Sequence, residues 1–259
     1  MPVWFDTMTK YELMTIFLSF VVFIKPLVIW GYKKINTKLL YFPNNEVYLF
    51  FNNSGSYIQI YGACKAENSN LIIKNIEVTL TKKRNSEKLN LVWSGFISPV
   101  MQKMAGNFIF TNEKAHPFQI HENVMCPVFV EFSLKGLVSE KNIGVALNGL
   151  LNLAQNEQCN VNLLNPNDVN RMLSDYKNSD VYKDTRELIV EEFFWDAGGY
   201  DLEMVIEYGD NGKINYFTSF DITPEDSNKL KNNIDEILLM PVKARYNLPT
   251  NFYAHMISN

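Results

Sequence analysis

The sequence predicts a mainly β protein: one N-terminal transmembrane helix, then an antiparallel β-sandwich region with a helical insertion, and a C-terminal helix. Three observations carry that prediction. The 20-residue run from Leu13 to Tyr32 is apolar and long enough to cross a hydrocarbon core of about 30 Å. Farther on, stretches such as KNIEVTLTKK and YDLEMVIEYG alternate apolar and polar residues with the period of a half-buried strand. Between the two strand groups, residues 137–185 change to helical apolar spacing.

The apolar run contains twelve Leu, Ile, Val or Phe residues. Each favours insertion by about 0.3–0.6 kcal/mol, which together outweighs the roughly 3 kcal/mol cost of a lysine at mid-helix. Lys25 and Pro26 interrupt the run. Lys25 can snorkel toward the headgroups, although helical side chains lean toward the N-terminus and make that reach awkward. Alternatively it faces a partner helix, which would favour oligomers. Pro26 removes a backbone donor and leaves the Val22 carbonyl without its helical partner. A cleaved signal peptide fits poorly, because Asp6 and Glu12 flank Lys10 and no A-x-A-like site follows. Lys33, Lys34 and Lys38 follow the run and Lys10 alone precedes it. The expected topology is therefore single-pass in a bacterial inner membrane, N-terminus outside and the larger part cytoplasmic. Trp4, Tyr11, Trp30 and Tyr32 stand where interfacial aromatics belong.

The expected organisation is an N-terminal segment 1–34 with the span at about 13–32, a linker 35–45, a β-sandwich domain 46–136, a helical bridge 137–185, and a hairpin sheet plus helix over 186–259. VYLFFN and YIQIYGACKA read as strands joined by the turn NSGS. KNIEVTLTKK places Ile76, Val78 and Leu80 on one face, and LNLVWSGFIS, FQI and PVFVEFSL continue the pattern. GVALNGLLNLAQNEQ and NPNDVNRMLSDYKNS read as helices. RELIVEEFFW, YDLEMVIEYG and INYFTSFDI read as strands, the last two joined by DNGK, a strong hairpin signal. TPED opens a helix with Thr223 as N-cap and Pro224 at its first position; Leu230, Ile234, Ile237 and Leu238 form its apolar stripe and Pro241 is expected to stop it.

SYIQIYGACKAENSNLIIKNIEVTLTKKRN, FFWDAGGYDLEMVI and FDITPEDSNKLKNNIDEIL together resemble a group of uncharacterised bacterial single-span, membrane-anchored β-sandwich proteins. The first stretch is also distantly similar to an arrestin-type strand pair. The resemblance covers about two thirds of the chain in pattern only, implies an N-terminal helix with a cytoplasmic sandwich, and brings no catalytic motif.

The formal charge of −4 is spread along the chain, with no clustered basic face, so no nucleic-acid partner is expected. Three scattered cysteines, Cys64, Cys126 and Cys159, read as free thiols of a reducing compartment. HPFQIHENVMC gathers His116, His121, Glu122 and Cys126, but strand residues five apart point to opposite faces, so no metal site is expected. Asp201, Glu203 and Glu207 share a strand face with Asp221 on a neighbouring strand; Lys213 and solvent are their expected neighbours, although paired carboxylates can divide acid and base roles. No P-loop, G-x-G-x-x-G, G-x-S-x-G or H-E-x-x-H occurs, so neither catalysis nor a cofactor is expected. Trp195 and Tyr200, around Gly198 and Gly199, can either anchor an interface or close a strand end.

These features lead to an interaction module tethered to the bilayer, holding a membrane-associated partner or a second copy of itself. The alternative is a ligand-sensing effector whose soluble part takes a small polar ligand and whose span oligomerises or perturbs the bilayer.

Overall fold

The computed structural model describes residues 9–53, 55–97, 102–104, 107–109, 112–134, 138–156 and 166–258; Trp4, Ser54 and Cys159, which figure in the sequence reading, lie outside them. The chain opens with helix α1 (Lys10–Ile35), capped by Thr9, whose hydroxyl receives the Glu12 N–H while the Glu12 carboxylate receives the Thr9 N–H. The helix runs unbroken through Pro26 and extends three residues beyond each end of the predicted span. Strands β1 (Lys38–Asn52), β2 (Gly55–Glu67), β3 (Leu71–Lys82) and β4 (Lys88–Ile97) follow, then β5 (Gln102–Met104), β6 (Asn107–Ile109), β7 (Asn112–Lys114), β8 (Phe118–Ile120) and β9 (Met125–Leu134). Helices α2 (Val138–Asn156), α3 (Pro166–Asn178) and α4 (Asp180–Glu191) separate these from β10 (Gly198–Tyr208) and β11 (Gly212–Ile222). Helix α5 (Pro224–Arg245) and β12 (His255–Ser258) complete the chain.

The predicted sandwich is replaced by a ten-stranded antiparallel sheet curled into a half-barrel, its main order β11-β10-β3-β4-β9-β2-β1-β12 with β7 paired to β4 and β8 to β3, while β5 and β6 form a separate pair. The two strand groups do not close separately. β10 pairs with β3 from Tyr200↔Lys82 to Tyr208↔Ile73, joining them into a continuous surface. The curl brings distant strands together: Tyr41 of β1 and Tyr216 of β11 meet edge to face at 5.3 Å although five strands lie between them in the sheet.

Alternation decides the inner face. Leu49 and Phe51, Ile58 and Ile60, Ile76, Val78 and Leu80, Val128, Val130 and Phe132, and Leu202, Met204 and Ile206 are all buried. Helix α5 lies against β1 and α2 against β2, while α2, α4 and α5 pack on one another. Leu230, Ile234, Ile237 and Leu238 are buried as their spacing predicts. Thr223 caps α5, its Oγ1 accepting from the Asp226 N–H, with Pro224 at the helix start.

Three predicted boundaries are corrected. The linker 35–45 is mostly strand: only Asn36 and Thr37 separate α1 from β1. Pro43 lies where the register of β1 with β2 shifts, between Pro43 and Val47, the kind of irregularity at which strands accommodate proline. RELIVE belongs to α4 rather than to a strand, since Tyr182, Thr185 and Ile189 form one buried stripe behind the Ser179 cap. Pro241 lies inside α5, which continues to Arg245.

Close approach fixes one glycine. A Cβ on Gly62 would lie 2.6 Å from Tyr41 Oη, beneath the ring that reaches Tyr216. Gly62→Ala is expected to displace that ring and cost about 1–3 kcal/mol, read as a fall in thermal midpoint. An unchanged midpoint would mean Tyr41 does not hold the curl.

Candidate functional site

No described side chain of α1 is buried; an apolar surface this large is unfavourable in water. From Lys10 to Lys33 the helix has the length and composition of a membrane span, with a mean hydropathy of 2.2. Lys25 is exposed on this helix, and among the described residues no acidic group contacts it.

The helix joins the sheet through a dense polar junction where the sequence predicted a linker. Lys33 Nζ meets Glu122 Oε1 at 2.8 Å. Asn68 Nδ2 donates to the Asn36 carbonyl at 2.8 Å, and the hydroxyls of Thr37 and Ser69 are 2.8 Å apart. The Glu122 N–H donates to Asn70 Oδ1, and the Asn123 N–H to the Ala66 carbonyl, both at 2.8 Å. Asn68 and Asn123 adopt positive φ, 70° and 60°, which asparagine tolerates better than most residues. The β2–β3 turn and the loop before β9 therefore both clasp the end of α1. The ENSN turn was the available signal; its tertiary partners were not.

Trp195 and Tyr200 do not present an aromatic surface. Their relative exposures are 0% and 1%. Trp195 Nε1 donates to the Phe50 carbonyl at 2.7 Å, and its own carbonyl accepts from Ser227 Oγ at 2.8 Å. Tyr200 Oη lies 3.2 and 3.0 Å from the carbonyls of Phe194 and Asp196, and burial raises its pKa. Ser56 Oγ reaches both the Glu192 carbonyl and the Phe194 N–H. Residues 192–200 are thus a joint that pins α4, the first hairpin, β10 and α5 together at the end of the sheet opposite α1. Lys82, between Asp196 Oδ2 at 3.0 Å and Glu87 Oε2 at 3.5 Å, closes its rim.

Two carboxylates of the outer sheet face, Asp201 and Glu207, are paired with lysines. Asp201 accepts from Ser219 Oγ at 2.6 Å and faces Lys83 at 3.3 Å, which hold its pKa below the ordinary value. Glu207 pairs with Lys213 at 2.6 Å. Asp221 lies opposite Gly199 across β10–β11. Thr79, Thr81, Asp201, Glu203, Ser219 and Phe217 surround an open depression of about 400 Å³, and Phe217 is 65% exposed. The arrangement suits contact by a polar surface with an aromatic anchor.

Glu131 is a half-buried carboxylate on the outer face of β9 beside an aromatic row. Phe50 stacks on Tyr57 at 4.8 Å, and Tyr61 meets Tyr48 and Phe129 at 5.1 Å. Burial pushes the Glu131 pKa up, against the opposing hydrogen bonds from Gln59 Nε2 at 3.0 Å and Ser94 Oγ at 3.5 Å. The folded protein therefore holds the Glu131 proton more tightly than the unfolded chain does, and stability falls as pH rises from the ordinary carboxylate value through the raised one. Glu131→Gln, which removes the titrating group, is expected to flatten that slope, read as the thermal midpoint against pH. An unaltered slope would assign the pH dependence elsewhere.

The histidine–cysteine stretch does not converge. His116 Nδ1 sits 2.9 Å from the Lys114 carbonyl and its ring lies against Phe96, His121 is exposed, and Glu122 is committed to Lys33. Cys126 points to the inner face, directly across β2–β9 from buried Cys64, whose thiol is pushed up to about 12, first by burial and then by Cys126. Among the described residues no three His, Cys, Asp or Glu side chains are grouped to hold a metal.

No protein-family model and no curated protein sequence matches the chain. Among solved structures, the sporulation control protein Spo0M from Bacillus subtilis aligns over 72% of this chain at 7% identity with a TM-score of 0.25. The chain covers 49% of the length of that protein.

Proposed function

We propose that this protein is a non-catalytic interaction module that one membrane span holds at the cytoplasmic face of a bacterial cell membrane, where it gathers a membrane-associated partner or a second copy of itself. The observation that carries the reading is α1, 26 residues long with none of its described side chains buried. The lysines that follow the span favour the cytoplasmic side for the sheet. Confinement to the membrane surface raises the effective concentration of whatever the sheet binds. With Trp195 and Tyr200 inside the joint, the contact surface moves to the outer face of β3, β10 and β11 around Phe217 and to the free edge of β11.

Removing residues 1–32 tests the tether. The full chain should stay with membranes through alkaline carbonate and require detergent for release. The truncated chain, which keeps Lys33 for Glu122, should be recovered in the soluble fraction with its β-type circular dichroism. Carbonate release of the full chain, or membrane retention of the truncated one, would contradict the tether.

The exposed Lys25 supports a second reading, in which the spans associate and a small polar ligand on the sheet governs that association. Lys25→Leu should ease insertion by about 3 kcal/mol while abolishing cross-linked oligomers in native membranes. Unchanged cross-linking would remove the reason for this reading.

A further inference from the structure

We infer that the α1 end of the sheet is a second lipid-contact surface, with Val124 at the end of the loop before β9 and Met125, the first residue of β9, inserting into the headgroup–acyl boundary beside the span; this rests on reading α1 as a membrane helix. Val124 and Met125 are 53% and 51% exposed, adjacent, and apolar. Their position is built rather than incidental. The Ala66 carbonyl receives the Asn123 N–H, the Val124 N–H returns to the His121 carbonyl, and Asn123 turns the chain at φ 60°. Glu122, one residue before that turn, is locked to Lys33 at 2.8 Å, only three residues beyond Trp30. Lys33 and Trp30 belong to the helix end that reaches the interface, so the ion pair sets the apolar tip at the same level. Ile35 of α1 and Ile72 of β3 are likewise exposed at this end, 84% and 51%. A lipid surface is the occupant that explains why the exposed apolar residues adjoin the span, and why a two-residue connection suffices. Two contacts, span and loop, would fix the tilt of the half-barrel and keep its outer face and β11 edge presented to partners.

The test uses the full chain in lipid nanodiscs, with Cys126→Ser and Cys159→Ser and buried Cys64 left in place. Nitroxides are placed one at a time at Val124→Cys, Met125→Cys, Val28→Cys in the span, and Asn85→Cys in the β3–β4 turn at the opposite end. Collision rates with oxygen and with a water-soluble nickel chelate report depth. The expected result is a several-fold lower nickel accessibility at 124 and 125 than at 85, close to that at 28, unchanged in high salt and with one chain per disc. If 28 is lipid-embedded while 124 and 125 match 85, the inference fails and the span stands. If 28 is aqueous, the span reading fails with it. Protection that vanishes in high salt, or needs two chains per disc, would also overturn it, assigning the loop to electrostatic or protein contact.

Discussion

Trp195→Ala is expected to cost about 4–6 kcal/mol, a large share of the roughly 5–15 kcal/mol that holds an ordinary domain folded. Removing a fully buried indole leaves a cavity among Phe194, Tyr200 and the first hairpin, typically worth about 3–5 kcal/mol. It also strands the Phe50 carbonyl, which accepts from Nε1 at 2.7 Å and is enclosed once the joint is formed. The matched control is Phe217→Ala, 65% exposed, which should change stability by less than about 0.5 kcal/mol. Denaturant titration of the full chain in detergent, followed by near-ultraviolet circular dichroism, measures both. A small loss at Trp195 with a large one at Phe217 would invert the assignment of joint and surface.

Asn233→Leu is the second large effect, expected at about 3–5 kcal/mol. Asn233 is a buried polar residue on α5, and its side chain is fully engaged. Nδ2 donates to the Phe51 carbonyl at 3.0 Å and to the Tyr253 carbonyl at 2.7 Å, while Oδ1 accepts from the Tyr253 N–H at 2.8 Å. A leucine fills similar volume and satisfies none of these groups. Because Asn233 ties the segment after α5 to β1, the damage should concentrate there: β12, paired with β1 from Glu46↔Ser258 to Leu49↔His255, should lose its amide-exchange protection first. Protection of β12 equal to wild type would show that the segment is held by its ladder alone.

Elements were legible in this sequence wherever one period sufficed. Ile76, Val78 and Leu80 alternate with polar residues because one face of β3 is buried, and that face was assigned correctly. Thr223 and the α5 stripe were legible because capping and 3.6-residue spacing are local. The single sheet was not. Its decisive pairing, β3 with β10, joins residues more than a hundred positions apart, and either a sandwich or a curled sheet shows the same alternation. RELIVE misled because β-branched residues in a short apolar run mark strands as readily as helices; the Ser179 cap and the Tyr182–Ile189 stripe outweigh that preference. The aromatic joint was left open between an interface anchor and a closed strand end. A tryptophan beside two glycines looks the same exposed or buried, and only the carbonyl of Phe50, 145 residues away, shows that it is buried. The junction at Lys33 and Glu122 was hidden in the same way, its two halves being 89 residues apart.

The central claim, that α1 crosses the bilayer once and leaves the half-barrel inside, is tested most directly by thiol labelling in intact cells. Single cysteines at Lys10 and at Arg84, both exposed, are introduced into the Cys126→Ser, Cys159→Ser chain and treated with a membrane-impermeant maleimide. The expected result is labelling at position 10 from outside, with position 84 labelled only after permeabilisation. Labelling of position 84 in intact cells, or of neither position before and both after permeabilisation, would contradict the topology.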